Sequence, residues 1–197
     1  MSDCIVVLNC GSSSIKFALF DANFDPLPRA PMWNGTVEGI GTEHPTATEA
    51  GAPTQVLELD AAQPYHAALM HIRQRVEQRL EGRRLKAVAH RVVHGGAKYF
   101  APVRVNAEVL SDLRSYIPLA PLHQPFALEA IEALLLGLSD VPQVACFDTA
   151  FHRTLPQVET MLPLPYMAWE RGLRRYGFHG LSYEYMSIAL PERHGDI

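Results

Sequence analysis

Two runs of β-formers, Ile5 to Leu8 and Ile15 to Phe20, are separated by Asn9-Cys10-Gly11-Ser12-Ser13-Ser14, and only Lys16 interrupts the second run. A strand that breaks into Gly-Ser and restarts at once reads as a hairpin, Cys4–Asn9 and Ile15–Asp21 around a tight turn. The turn has the chemistry of a small anion site. Gly11 lets backbone approach a ligand closely, and successive turn N–H groups can form an anion-binding nest. Ser12, Ser13 and Ser14 add hydroxyls and Lys16 a point charge. It is not a Walker A loop, because it lacks the Gly-Lys-Ser/Thr ending and runs into a strand rather than a helix. A plain Gly-Ser turn fits the same residues.

The rest of the chain alternates. Residues 31–40 suit a third strand, 41–53 a loop, and Thr54–Leu59 another strand. From Pro64, Leu69, Ile72, Val76 and Leu80 recur at helical spacing, a core-facing stripe that ends at Glu81-Gly82. The outer face, with Arg73, Arg75, Glu77, Arg79 and Glu81, reads as solvated. Leu85–Val93 is β-rich and stops at His94-Gly95-Gly96; residues 107–117 and 123–137 read as helices. Pro142–Phe147 is a short buried strand ending at Asp148, and a Gly-bracketed turn near Tyr176 leads into a helix. Paired strands followed by alternating strands and helices predict an α/β domain with a mixed β-sheet flanked by helices.

Composition excludes several classes. A net charge of −4 speaks against a nucleic-acid surface. No basic stretch precedes a long apolar run, so neither a signal peptide nor a membrane span is expected. Cys4, Cys10 and Cys146 match neither a disulfide framework nor zinc spacing, which suits a reducing cytoplasm.

In open α/β sheets ligands bind where strands end, and four further loops lie there. His90 and His94 are four apart, but on a strand that spans roughly 13 Å, too far for one metal ion; both read as structural. Arg91, inside an apolar strand, needs an anionic partner, which a structural salt bridge or a bound carboxylate or phosphate would equally supply. Prolines 121 and 125 flank His123 in a fixed loop, where it presents an imidazole or caps the next helix. Asp148 suits a magnesium ion, held directly or through water, or else caps the turn at Thr149. His179 sits between Gly177 and Gly180, uncrowded and open to a ligand or simply in a turn.

VLNCGSSSIKF, HRVVHGG, LAPLHQP, FDTAFH and RRYGFHG, in that order from Val7 to Gly180, together resemble the acetate kinase family of short-chain acyl kinases. The resemblance implies a ribonuclease H-like, actin-like ATPase domain and reversible Mg²⁺-dependent phosphoryl transfer from ATP to acetate, giving acetyl phosphate and ADP. It places Asn9, Gly11, Ser12, Ser13, Ser14 and Lys16 in the first phosphate-binding loop, with Asn9 also near the metal. Arg91 would bind the carboxylate or the transferring phosphoryl group. Val93, Leu122 and Phe178 would line the methyl pocket beside Arg91. His123 and His179 would donate to the phosphoryl group, and Asp148 would help hold Mg²⁺. Arg91→Ala is expected to abolish turnover and leave the fold intact.

Two positions depart from the family pattern. Gln124 stands where Asn is usual, and Leu181-Ser182-Tyr183 follows Gly180 where Thr-Ser-His is usual. Acetate and propionate are therefore both open as substrates. Residues 1–197 match the N-terminal domain of the family, whose second domain supplies the adenosine pocket, a second arginine, a metal-binding glutamate and most of the homodimer contact. By itself this half is expected to bind anions weakly and to lack kinase activity. The alternative is a non-catalytic phosphate- or protein-binding module of the same superfold.

Overall fold

The computed structural model describes residues 2–195. Its first strands, β1 (Asp3–Cys10) and β2 (Ser14–Asp21), form the expected hairpin, with Cys4 opposite Asp21 and Cys10 opposite Ile15. β3 (Trp33–Glu38), β4 (Thr46–Glu49) and β5 (Gln55–Val56) continue the sheet antiparallel outward. On the other side of β1 run β6 (Arg84–Val92) and β8 (Gln143–Phe147), both parallel to it, and β7 (Val103–Arg104) closes that edge antiparallel. The sheet order is β5-β4-β3-β2-β1-β6-β8-β7, a mixed sheet of eight strands.

The loop expected over 41–53 contains β4, and the strand expected over 54–59 shrinks to two residues. In β4, Ala47 and Glu49 point inward and are buried. A buried glutamate in a strand defeats a reading by hydrophobic alternation. It is tolerated because Arg75 answers it with two hydrogen bonds, of 2.6 and 2.8 Å, the bidentate fork that suits a carboxylate. So one arginine of the supposedly solvated helix face is structural, and a second, Arg79, lies over the Trp33 ring at 5.5 Å.

Helix α1 (Pro64–Leu80) starts and stops where expected: Pro64 occupies the first turn, and Glu81 ends it in the left-handed conformation at φ 49°. Leu69, Ile72 and Val76 are buried, each stabilising by about 1.5–3 kcal/mol. α2 (Ala107–Ser115) is capped by Asn106, whose side chain accepts from the Val109 N–H. With α3 (Gln124–Gly137) these helices cover one face of the sheet, against Val6, Leu8, Val88, Val92 and Phe147. Alternation along the strands then sends Asn9 and Arg91 to the opposite face. Two short helices, α4 (Gln157–Thr160) and α5 (Tyr166–Glu170), lead to α6 (Gly180–Arg193), which packs beside β8. No helix among the described residues is long and apolar enough to cross a membrane.

Candidate active site

The parallel register of β1, β6 and β8 brings Asn9, Arg91 and Asp148 to one end of the sheet. Asp148 follows β8 directly and is 1% exposed. Its carboxylate accepts from Arg91 Nε at both oxygens (3.1 and 3.0 Å) and from Nη2 at Oδ2 (2.5 Å). Arg91 Nη1 donates to Asn9 Oδ1 at 3.0 Å. The arginine therefore ties the hairpin strand to the strand that carries the aspartate. Arg91 keeps 30% of its side chain exposed, so one flank of the guanidinium still faces the cleft.

A cavity of 420 Å³ opens beside this pair, lined by Arg91, Val93, Leu119, Ala120, Pro121, Leu122, His123, Asp148, Phe178 and His179. All four residues expected of the acyl pocket and all four expected catalytic residues line it. Its lining is mixed: apolar Val93, Leu122 and Phe178 together with one arginine and two imidazoles. His123 holds the N-cap position of α3 by its backbone, but its side chain makes no capping bond, so the imidazole is left to the cavity. The same holds for Asp148, which pairs with Arg91 instead of capping Thr149.

His179 reaches the cavity through unusual backbone. It has φ 56°, left-handed for a residue with a side chain. The next residue donates its N–H to the Asp148 carbonyl at 2.9 Å. A Cβ on Gly180 would stand 2.2 Å from that carbonyl oxygen, so only glycine lets α6 begin here. His152 donates from Nε2 to the Phe178 carbonyl (2.9 Å) and fixes the preceding residue. Sequence reading did not single out His152 or Thr149, whose hydroxyl accepts from the Gly95 N–H at 3.1 Å. Only their nearness to Asp148 marked them.

The Asn9–Lys16 turn lies beside the cavity rather than in its wall. Gly11 N–H closes it onto the Ser14 carbonyl at 2.8 Å, and Ser12 and Ser13 are exposed. Lys16 pairs directly across from Asn9; it is exposed and has no carboxylate partner among the described residues. Behind the turn, burial pushes the Cys10 thiol up to about 11, so it is neutral and no nucleophile.

His90 and His94 are buried and structural, as expected. His90 Nε2 meets Gln143 Oε1 at 2.7 Å, and His94 Nδ1 accepts from the Gly96 N–H at 2.8 Å. Burial lowers both to about 4.

The resemblance to acetate kinases implies a divalent metal, and oxygen donors such as Asn9 and Asp148 suit a hard cation. Asn9 Oδ1 and the Asp148 carboxylate lie close together, both on the Arg91 guanidinium but at different nitrogens, Nη1 for Asn9 and Nε and Nη2 for Asp148. No group of three or more His, Cys, Asp or Glu side chains gathers among the described residues. Mg²⁺ is typically held by one or two side chains, substrate phosphates and its own waters. With the Asp148 oxygens already engaged by Arg91, support through water fits better than direct ligation.

Residues 4–194 match the model of the Acetokinase family. The chain is 44% identical over 194 residues to the acetate kinase of Rhodopseudomonas palustris, covering 98% of this chain and 49% of that protein. Against the acetate kinase of Rhizobium meliloti the identity is 45%, over 96% of this chain and 49% of that protein. Among solved structures it is similar to a propionate kinase from Francisella tularensis (TM-score 0.84, 33% identity, 97% of this chain, 49% of that one). It is also similar to Porphyromonas gingivalis acetate kinase (TM-score 0.78, 33% identity, 98% of this chain, 49% of that one). The chain spans about half the length of the relatives it matches. The family model covers nearly the whole of residues 1–197, and these relatives agree with it: the chain belongs to the acetokinase family.

Proposed function

We propose that this chain forms the acyl-binding side of an ATP-dependent carboxylate kinase that phosphorylates acetate reversibly to acetyl phosphate. The observation that carries the reading is a cavity lined both by a small apolar surface, Val93, Leu122 and Phe178, and by one arginine and two imidazoles. A short carboxylate fits that division, with its alkyl end on Val93, Leu122 and Phe178 and its charge toward Arg91.

The chemistry asks for no general base. A carboxylate with a pKa near 4 is already ionised at neutral pH, and Asp148 is correspondingly engaged by Arg91 rather than poised to take a proton. What remains is to hold nucleophile and phosphoryl group in line and to neutralise charge on three equatorial oxygens. Arg91 would orient the carboxylate and meet the developing charge. His123 and His179, which both line the cavity, would donate to the phosphoryl oxygens. Lys16 and the Gly11–Ser14 turn would hold the terminal phosphates of ATP. Asn9 and Asp148 would hold magnesium, which when bound supplies further neutralisation of phosphate charge.

The same reading assigns residues 1–197 to an N-terminal domain, with a second domain contributing the adenosine pocket, and places the enzyme in the cytoplasm as a homodimer. Acetate is preferred to propionate as the substrate on the strength of the acetate kinases above. The test is the complete gene product incubated with ATP, Mg²⁺ and acetate, with acyl phosphate trapped as the hydroxamate. Acetate-dependent hydroxamate is expected; its absence from folded protein would refute the reading.

A further inference from the structure

Gln124 is 0% exposed, yet it makes no contact with the cavity itself. Its amide instead pairs with both backbone groups of one residue: the His94 N–H donates to Oε1 at 3.1 Å, and Nε2 donates to the His94 carbonyl at 3.0 Å. Nε2 also reaches the carbonyl of Leu113, near the end of α2, at 3.3 Å. Three of the buried amide's four hydrogen-bonding positions are thus used, two of them to hold the chain after β6 against the start of α3.

Those two segments both contribute lining residues to the cavity. Val93 precedes His94, and Leu122 and His123 precede Gln124. The His94 ring in turn packs edge-on to Phe178, 5.8 Å away, the third apolar residue of the lining. One side chain, rooted beside Leu122 and His123 at the start of α3, therefore fixes the backbone next to Val93.

We propose that Gln124 is a positioning residue that determines acyl-chain specificity: its length, fixed by these hydrogen bonds, sets the separation of Val93 from Leu122. This rests on the carboxylate-kinase reading above. A buried amide with its partners satisfied is costly to rearrange, so the separation is held rather than adaptable. Shortening the strut by one methylene while keeping the amide draws Val93 toward Leu122 and excludes the longer acid.

The test is kcat/KM of the complete gene product for acetate and for propionate, in wild type and Gln124→Asn. The propionate-to-acetate ratio is expected to fall about tenfold or more, the discrimination one methylene typically carries, with acetate turnover retained. Gln124→Met, similar in length but without the amide, is expected to raise KM for both acids and flatten the ratio. A ratio unchanged in active Gln124→Asn overturns the proposal. Hydrogen exchange of the wild-type protein decides the matter independently of any variant's folding. The His94 amide must exchange as slowly as the β6 ladder, and fast exchange there overturns the strut. Wild-type protein that phosphorylates neither acid refutes the kinase reading instead, and leaves the His94 exchange rate to judge Gln124.

Discussion

Removing Arg91 strands a carboxylate. Asp148 is 1% exposed and receives three guanidinium hydrogen bonds, whereas Arg91 is 30% exposed and can turn toward water. The two deletions should therefore be unequal. Arg91→Ala leaves a buried charge without its cation, which costs about 3–5 kcal/mol. Asp148→Asn leaves a guanidinium with a route to solvent and loses charge-assisted hydrogen bonds, about 1–3 kcal/mol. In Arg91→Ala/Asp148→Asn the stranded charge is gone, so the pair should cost less than the sum, with a coupling of about 1–3 kcal/mol. With an m-value of about 2 kcal/mol/M in urea, Arg91→Ala lowers the unfolding midpoint by roughly 1.5–2.5 M. This revises the expectation that Arg91→Ala leaves the fold intact: domains of this kind have only about 5–15 kcal/mol to lose. Urea denaturation of the four proteins followed by circular dichroism gives the cycle. Additivity within about 0.5 kcal/mol, or an Asp148→Asn more damaging than Arg91→Ala, refutes the reasoning.

Stability should fall between pH 6.5 and about 4, because His90 and His94 are held neutral by burial in the folded state and take up protons on unfolding. The unfolded chain binds more protons throughout that window, so stability rises with pH across it, by up to about 3 kcal/mol for each group. Protonating His94 Nδ1 also breaks its bond from Gly96; a flat midpoint between pH 6.5 and 4.5 contradicts this. Gly180→Ala forces a Cβ against the Asp148 carbonyl and should cost about 1–3 kcal/mol, seen as a melting point several degrees lower, with acyl phosphate formation falling further because His179 moves with it. Lys16→Ala, at an exposed site, should leave stability within about 0.5 kcal/mol while raising the KM for ATP and not that for acetate.

Where hydrophobic period and turn chemistry agreed, the fold was readable in advance. The hairpin and α1 fall within a residue or so of their expected ends, since Gly11, Pro64 and Gly82 punctuate runs of clear period. β4 was hidden because the feature that stabilises it is an ion pair to Arg75, distant in sequence. β7 is two residues long and held by pairing with β8, so it has no local signature. The site was legible as five separate loops. Their convergence, and the fact that Arg91 answers Asp148 rather than waiting unpaired, needed the parallel register of β1, β6 and β8. Gln124 drew notice only as a departure from the usual residue; that its amide holds the His94 backbone depends on contacts 30 residues away.

The central claim is that the cavity between Arg91 and the Val93–Leu122–Phe178 wall receives the acyl group. The most direct measurement is the set of nuclear Overhauser contacts from the methyl group of ¹³C-labelled acetate bound to the complete gene product with ADP and Mg²⁺. The account predicts contacts to the Val93 and Leu122 methyls and to the Phe178 ring, lost in Arg91→Ala refolded under stabilising conditions. Contacts confined to another surface, or bound acetate with none of these three residues near its methyl group, would contradict it.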